Sequence, residues 1–182
     1  DVGSPASLAP QKAEALMCRA YAHFVLANVF CLPYNPETAD KDMGIPYSEK
    51  PETQVIVKYE RGTMAELYEK INADIEAALP YISDDVYTVP KYHFNKKAAY
   101  AFATRFNLFY VKPDKSNYQK VVEYATQVLG SNPDRALRQM TNYIPLGAGD
   151  VTNAYVQASE NCNLLIIPAY SAAGRIGSGS GP

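Results

Sequence analysis

Two histidines, His23 and His93, are all the imidazole this chain offers, so a histidine-based nucleophile triad has little to draw on. His23 follows Arg19 by four residues, which on a helix puts both on one face and reads as a structural pair. Asp84 and Asp85 are adjacent carboxylates in a loop, not the spaced acid and base of a glycosidase. Cys18, Cys31 and Cys162 lack metal-ligand spacing. The first two fall on one expected helix, about 20 Å apart at ~1.5 Å per residue, and cannot bridge. All three read as small buried hydrophobes. No Gly-rich phosphate loop or nucleophile elbow is present. These residues point away from an enzyme, and neither cofactor nor metal is expected.

Binding chemistry is better supplied. The 182 residues include 15 tyrosines and no tryptophan, and tyrosine joins an apolar ring to a polar tip, suited to helix packing and to sugar or protein surfaces. A sugar is held by an aromatic face against its ring and planar polar groups on its hydroxyls. Between residues 32 and 62, Tyr34, Asn35, Asp40, Lys41 and Tyr47 supply both types; Tyr34, Asn35 and Tyr47 are the candidate ligand contacts. Lys96 and Lys97 stand near a helix start, where they oppose the macrodipole, and read as exposed. The formal net charge of −2 gives no reason to expect nucleic acid. No apolar run approaches the ~18 residues of a membrane span.

Helices must carry these side chains, and periodicity places them at about 10–31, 63–79, 95–111 and 116–129. The first is apolar nearly all round, which predicts neighbours on both sides. The second opens on a Thr63/Glu66 capping box, shows Met64, Leu67, Tyr68, Ile71, Ile75, Ala78 and Leu79 on one face, and leaves Glu69, Lys70, Asn72 and Glu76 as a solvated one. The third carries Ala98, Ala99, Phe102, Ala103, Phe106, Phe109 and Tyr110. The fourth carries Val121, Val122, Ala125, Val128 and Leu129, and Gly130 with Pro133 forms its stop signal. The last two helices, joined by a turn at Pro113, make a pair of roughly 34 residues, the unit of a helical repeat.

Two long connections separate these helices. Residues 32–62 form a proline-rich loop of unusual, often functional, length, with an extended piece expected at 54–59. Residues 81–93 form a second loop, acidic at Asp84 and Asp85 and aromatic at Tyr81, Tyr87 and Tyr92. A short helix is expected at 134–140. Gly147, Gly149 and Asp150 then break regular structure. Residues 164–167 read as a short buried strand, and 174–182 as a mobile Gly/Ser tail. The fold class is thus mainly all-α: tetratricopeptide-like antiparallel helix pairs with long loops and a small extended C-terminal segment. Residues 1–143 form the helical-repeat domain, and 144–182 an irregular part of a larger one. The chain opens without a leader pattern and reads as a processed or excised piece.

In this order the segments resemble a family. Glu14-Ala15 to Arg19-Ala20 and Phe24 look like the E-A-x-x-x-R-A-x-x-x-F helix of SusD/RagB-type nutrient-binding lipoproteins. Gly44-Ile45-Pro46 with Glu49 resembles the family's Gly-apolar-Pro segment after that helix. Arg61, Thr63, Glu66, Tyr68, Ile71, Asp74, Ile75 and Ala78 match its R-x-(T/S)-x-x-E-x-Y-x-x-I-x-x-D-(L/I)-x-x-A run. Lys96, Ala98, Ala99, Arg105 and Leu108 are similar to its K-x-A-A-x-A-x-x-A-R-x-x-L helix. The resemblance implies a protein held on the outer-membrane surface by an N-terminal lipid upstream of Asp1, partnering a TonB-dependent transporter and presenting glycans or other nutrient oligomers to it. It implies that this chain covers roughly the N-terminal third. Val121 and Val128 occupy positions where tetratricopeptide helices usually hold Ala, which argues against the usual peptide groove and shifts recognition to the loops. The alternative reading is a helical-repeat adaptor that binds only proteins; a glycan that binds saturably separates the two.

Overall fold

Residues 5–167 are described in a computed structural model. Helix α1 (Ala9–Phe30) buries Ala13, Met17, Ala20, His23, Phe24 and Ala27 along one stripe. Against it lies α2 (Met64–Ala78), burying Met64, Leu67, Tyr68, Ile71, Asp74, Ile75 and Ala78. The second antiparallel pair is α3 (Lys96–Phe109) with α4 (Asn117–Leu129). Phe24 joins the pairs, its ring meeting those of Tyr68, Phe102, Phe106 and Phe109 edge-on at centroid distances of 5.3–6.3 Å. Edge-to-face packing suits the ring quadrupole and adds to the area buried.

The expected helices are thus present, and the fold is all-α, with no strand among the described residues. Where α2 begins, the loop before it is ordered by the helix itself. Met64 N–H donates to Asp42 O and Ala65 N–H to Ala39 O, while Thr63 and Glu66 complete the capping box. These bonds satisfy first-turn donors that a helix cannot pair internally. Gly44 sits so close that a Cβ there would lie 2.8 Å from Thr63 O, and its carbonyl accepts from Arg61 Nε at 2.6 Å. The glycine and arginine of the motif therefore lace the loop to the helix start. In the second pair, α4 stops at Gly130, whose φ of 66° and ψ of −158° lie where an L side chain is strained.

Several expectations are corrected. Helix α1 is covered on one side only: Val25, Leu26, Val29 and Phe30 are exposed, because both of its partners lie along the Phe24 stripe. Helix α4 turns Tyr124 inward and leaves Val122 out, since Asn117, Val121, Tyr124 and Val128 repeat at helical spacing toward α3. Cys18 is exposed and Cys31 and Cys162 half-buried, all as free thiols. In place of a helix at 134–140 there are 3₁₀ turns at Pro133–Ala136 and Met140–Tyr143. Gly147 and Gly149 do not prevent a helix, α5 (Ala148–Tyr155), for which Gly147 is the N-cap. Residues 54–59 make no strand and are exposed.

Residues 164–167 form no strand, and Leu164, Leu165 and Ile166 are half-buried while Ile167 is exposed. They lie along the entry to α3 instead, with Ile166 N–H on Lys91 O and Leu164 O accepting from Asn95 Nδ2 at 2.6 Å. The same Asn95 caps α3 through Oδ1, accepting from Ala98 N–H, so one amide binds the C-terminal segment to the repeat. The Gly/Ser tail at 174–182 lies outside the described residues.

Candidate ligand-binding surface

Tyr34 and Asn35 begin the first long loop, and Tyr47 lies in the strap that follows; both tyrosines lean on α2. The Tyr34 ring is half-buried, 4.7 Å from that of Tyr68 and edge-on to Tyr110 at 5.1 Å. Burial, then the Glu69 charge, pushes its phenol upward. Asn35 is exposed and shapes the next turn, Oδ1 accepting from Glu37 N–H and its carbonyl from the N–H groups of Thr38 and Ala39. The Tyr47 hydroxyl donates to Asp74 Oδ2 at 2.5 Å, six residues further along α2 than Tyr68, or about 9 Å by helical rise.

Asp74 is the hub here. It is buried, and Arg19 Nε and Nη2 donate to its two oxygens at 2.6 and 2.7 Å, a fork-to-fork pair. His23 completes the cluster: Nδ1–H donates to Arg19 O at 2.8 Å, Nε2 accepts from Ser48 N–H at 3.1 Å, and the ring stacks on Tyr47 at 4.0 Å. The two contacts assign the hydrogen to Nδ1. Arg19 and His23 thus act structurally, through Asp74 and residues 47–49 rather than through each other's side chains. Burial, then the bond to Asp74, raises the Tyr47 phenol far above its ordinary range.

Beyond Tyr47 the strap encloses an open hollow of about 440 Å³, lined by Ser48, Lys50, Gln54, Val57 and Tyr59 among others. Tyr59 is exposed and its hydroxyl bonds Glu52. Tyr47 and Tyr59 therefore share one hollow, whereas Tyr34 and Asn35 stand at the other end of the loop. Tyr59 follows Lys58 in the chain and shares the hollow's lining with Gln54, but the sequence reading did not single it out because only the folded strap brings it to Tyr47.

A second cleft, about 680 Å³, lies between the start of α3 and the C-terminal segment. Val89, Pro90, Leu129 and Leu164 give it apolar wall, while Lys91, Lys97, Arg135 and Asp84 bring charge. Sequence reasoning missed it because Arg135 and the residues near 161 approach α3 only through the tertiary fold. The Glu14 carboxylate on α1 holds the second loop, accepting from Tyr87 at 2.6 Å, from His93 Nδ1 at 2.9 Å and from Phe94 N–H. His93 and Tyr87 stack at 4.0 Å. Among the described residues no group of His, Cys, Asp or Glu has the arrangement of a metal site, and no helix is long and apolar enough to cross a membrane.

Comparison with known proteins adds a lineage to this geometry. Residues 3–108 match the model of the SusD-like family described as "Starch-binding associating with outer membrane". Among solved structures, the chain is similar to a SusD superfamily protein from Bacteroides thetaiotaomicron VPI-5482, with 26% identity and a TM-score of 0.61 over 80% of this chain and 30% of that one. A protein titled a putative sugar binding protein from Bacteroides vulgatus ATCC 8482 shares its fold at 21% identity and a TM-score of 0.64, over 90% of this chain and 35% of that one. A SusD-like carbohydrate binding protein from the same organism aligns at 20% identity and a TM-score of 0.60, over 78% and 28%. The chain thus spans about a third of the length of the solved structures it resembles. A search of curated proteins gives no significant match.

Proposed function

Because the chain belongs to the SusD-like family, described as starch-binding and associating with the outer membrane, we propose that it is part of a cell-surface glycan-binding component of a TonB-dependent nutrient uptake system. The family match over residues 3–108, from the entry to α1 through nearly all of α3, is the observation that carries this reading. In it the helix pairs are scaffold, and the loops they brace present the ligand surface. The protein is held at the outer membrane by an N-terminal lipid and hands oligosaccharides to the transporter; it performs no catalysis on them.

Tyr34, Asn35 and Tyr47 are the proposed contacts, with Tyr59 added as the exposed aromatic of the Tyr47 hollow. An exposed or half-exposed phenol flanked by amides offers a ring face and hydrogen-bonding groups together. Affinity electrophoresis against neutral and acidic polysaccharides tests the reading. Saturable retention is expected, weakened about three- to tenfold by Tyr34→Ala or Tyr59→Ala, matching loss of a ~0.5–1.5 kcal/mol aromatic contact. Tyr47→Phe keeps the ring and is expected to keep binding. If no glycan is retained but a transporter or other protein co-purifies, the adaptor reading replaces this one.

A further inference from the structure

The cleft beside the start of α3 is cationic in a chain whose formal net charge is −2. Lys91, Lys97 and Arg135 line it, against a single carboxylate, Asp84. That carboxylate is already committed, accepting from Lys96 N–H at 2.7 Å. Lys91 Nζ donates to Glu160 O at 2.6 Å and keeps further hydrogens to give. Lys97 and Arg135 are exposed and make no side-chain hydrogen bond or ion pair among the described residues. The N-terminus of α3, 14 residues long, adds the positive end of its dipole to the same place. An anion entering the cleft therefore meets three cationic side chains against one carboxylate that is already engaged, and their attraction strengthens where the apolar wall excludes water. The cleft volume of about 680 Å³ falls within the ~300–1,000 Å³ usual for small-molecule sites.

We propose that this cleft binds a uronate unit of an acidic oligosaccharide, with Lys97 and Arg135 on its carboxylate and the Val89–Pro90 and Leu129 wall under the sugar ring. A guanidinium takes a carboxylate in a planar fork, and an ammonium adds a point charge. The apolar wall is what a free inorganic anion would not need. This inference rests on the glycan-binding reading but uses a surface separate from Tyr34, Asn35 and Tyr47.

Calorimetric titration of the full chain with trigalacturonate, its methyl ester, maltotriose and inorganic phosphate tests it. Trigalacturonate is expected to bind at least about tenfold more tightly than the neutral ester, with affinity falling as salt rises. Lys97→Gln with Arg135→Gln is expected to reduce that affinity to the level of the ester while leaving any maltotriose binding unchanged. Both side chains are exposed, so an unaltered thermal melt checks the fold of the variant. Neutral sugars binding as well as trigalacturonate, or an uronate affinity that ignores both substitutions, overturns the inference and leaves the glycan reading intact. Equal binding of phosphate alone reduces the cleft to a general anion site and overturns the inference too. Failure of every glycan in the wider panel removes both.

Discussion

At the scale of single residues, the buried polar cluster around Asp74 decides how the first loop is held. Three donor atoms from two side chains converge on one buried carboxylate, so its removal leaves a half-buried guanidinium with no carboxylate and only the Glu49 carbonyl to accept from it. Asp74→Ala is expected to cost about 3 kcal/mol, in line with breaking a buried ion pair; Tyr47→Phe, which removes one hydrogen bond, about 1 kcal/mol. Urea denaturation of the single and double variants measures both. Because Tyr47 bonds the carboxylate itself, the two losses should fall well short of additive; strict additivity would show that the cluster does not act as a unit. Arg19 and His23 were legible as neighbours on one helix face, but their link to Asp74 and Tyr47 was not. The Arg19–Asp74 pair joins different helices 55 positions apart, a relation that periodicity within one helix does not encode. Glu76 was likewise read as solvated, yet it accepts from Lys120 Nζ at 2.7 Å and from the Tyr124 hydroxyl at 2.9 Å. That contact ties α2 to α4, and only the packed fold brings the three together.

Elements were legible where local chemistry suffices to define them. The capping box at Thr63 and the stop at Gly130 lie where sequence reading puts them, because each needs only neighbours along the chain. Residues 133–167 were harder, since their 3₁₀ turns and α5 have short apolar patterns that extended chain can mimic. The start of α2 offers a test of how loop and helix depend on one another. Thr63→Ala removes one cap bond and is expected to cost about 1 kcal/mol. Gly44→Ala is expected to cost more, about 2 kcal/mol, though the position is a loop. Its Cβ would meet backbone, Thr63 O at 2.8 Å, so the loop must move away and take Asp42 O and Ala39 O from the first turn with it. Thermal melts rank the two variants, and hydrogen exchange at Met64 and Ala65 reads the mechanism. Unchanged protection of those amides in Gly44→Ala would show that the loop does not cap the helix.

On the scale of the whole molecule, tyrosines take the place of tryptophan as the large amphipathic side chains, and their hydroxyls tie the helix pairs and loops together. Tyr47 bonds α2 from the strap, Tyr87 bonds α1 from the second loop, and Tyr124 bonds α2 from α4. Composition signalled helix packing by tyrosine; which phenols would meet carboxylates needed the fold. Burial raises all of these phenols, with the carboxylate partner adding to it, and burial pushes Tyr68 from the usual 10 up to about 12. A phenol that ionises later in the folded chain than in the unfolded one leaves stability intact below pH 10. Above that value the unfolded chain loses protons first, so stability falls as pH rises and the loss is complete once pH passes the folded value. For Tyr68, which is 1% exposed, each pH unit in that window costs about 1.4 kcal/mol. Urea midpoints should therefore hold up to pH 10 and drop steeply between 10 and 12. Tyr68→Phe lowers stability at neutral pH little and is expected to flatten that slope by about one proton's share. A slope that Tyr68→Phe leaves unchanged would mean that burial of this phenol does not set the alkaline limit of the fold.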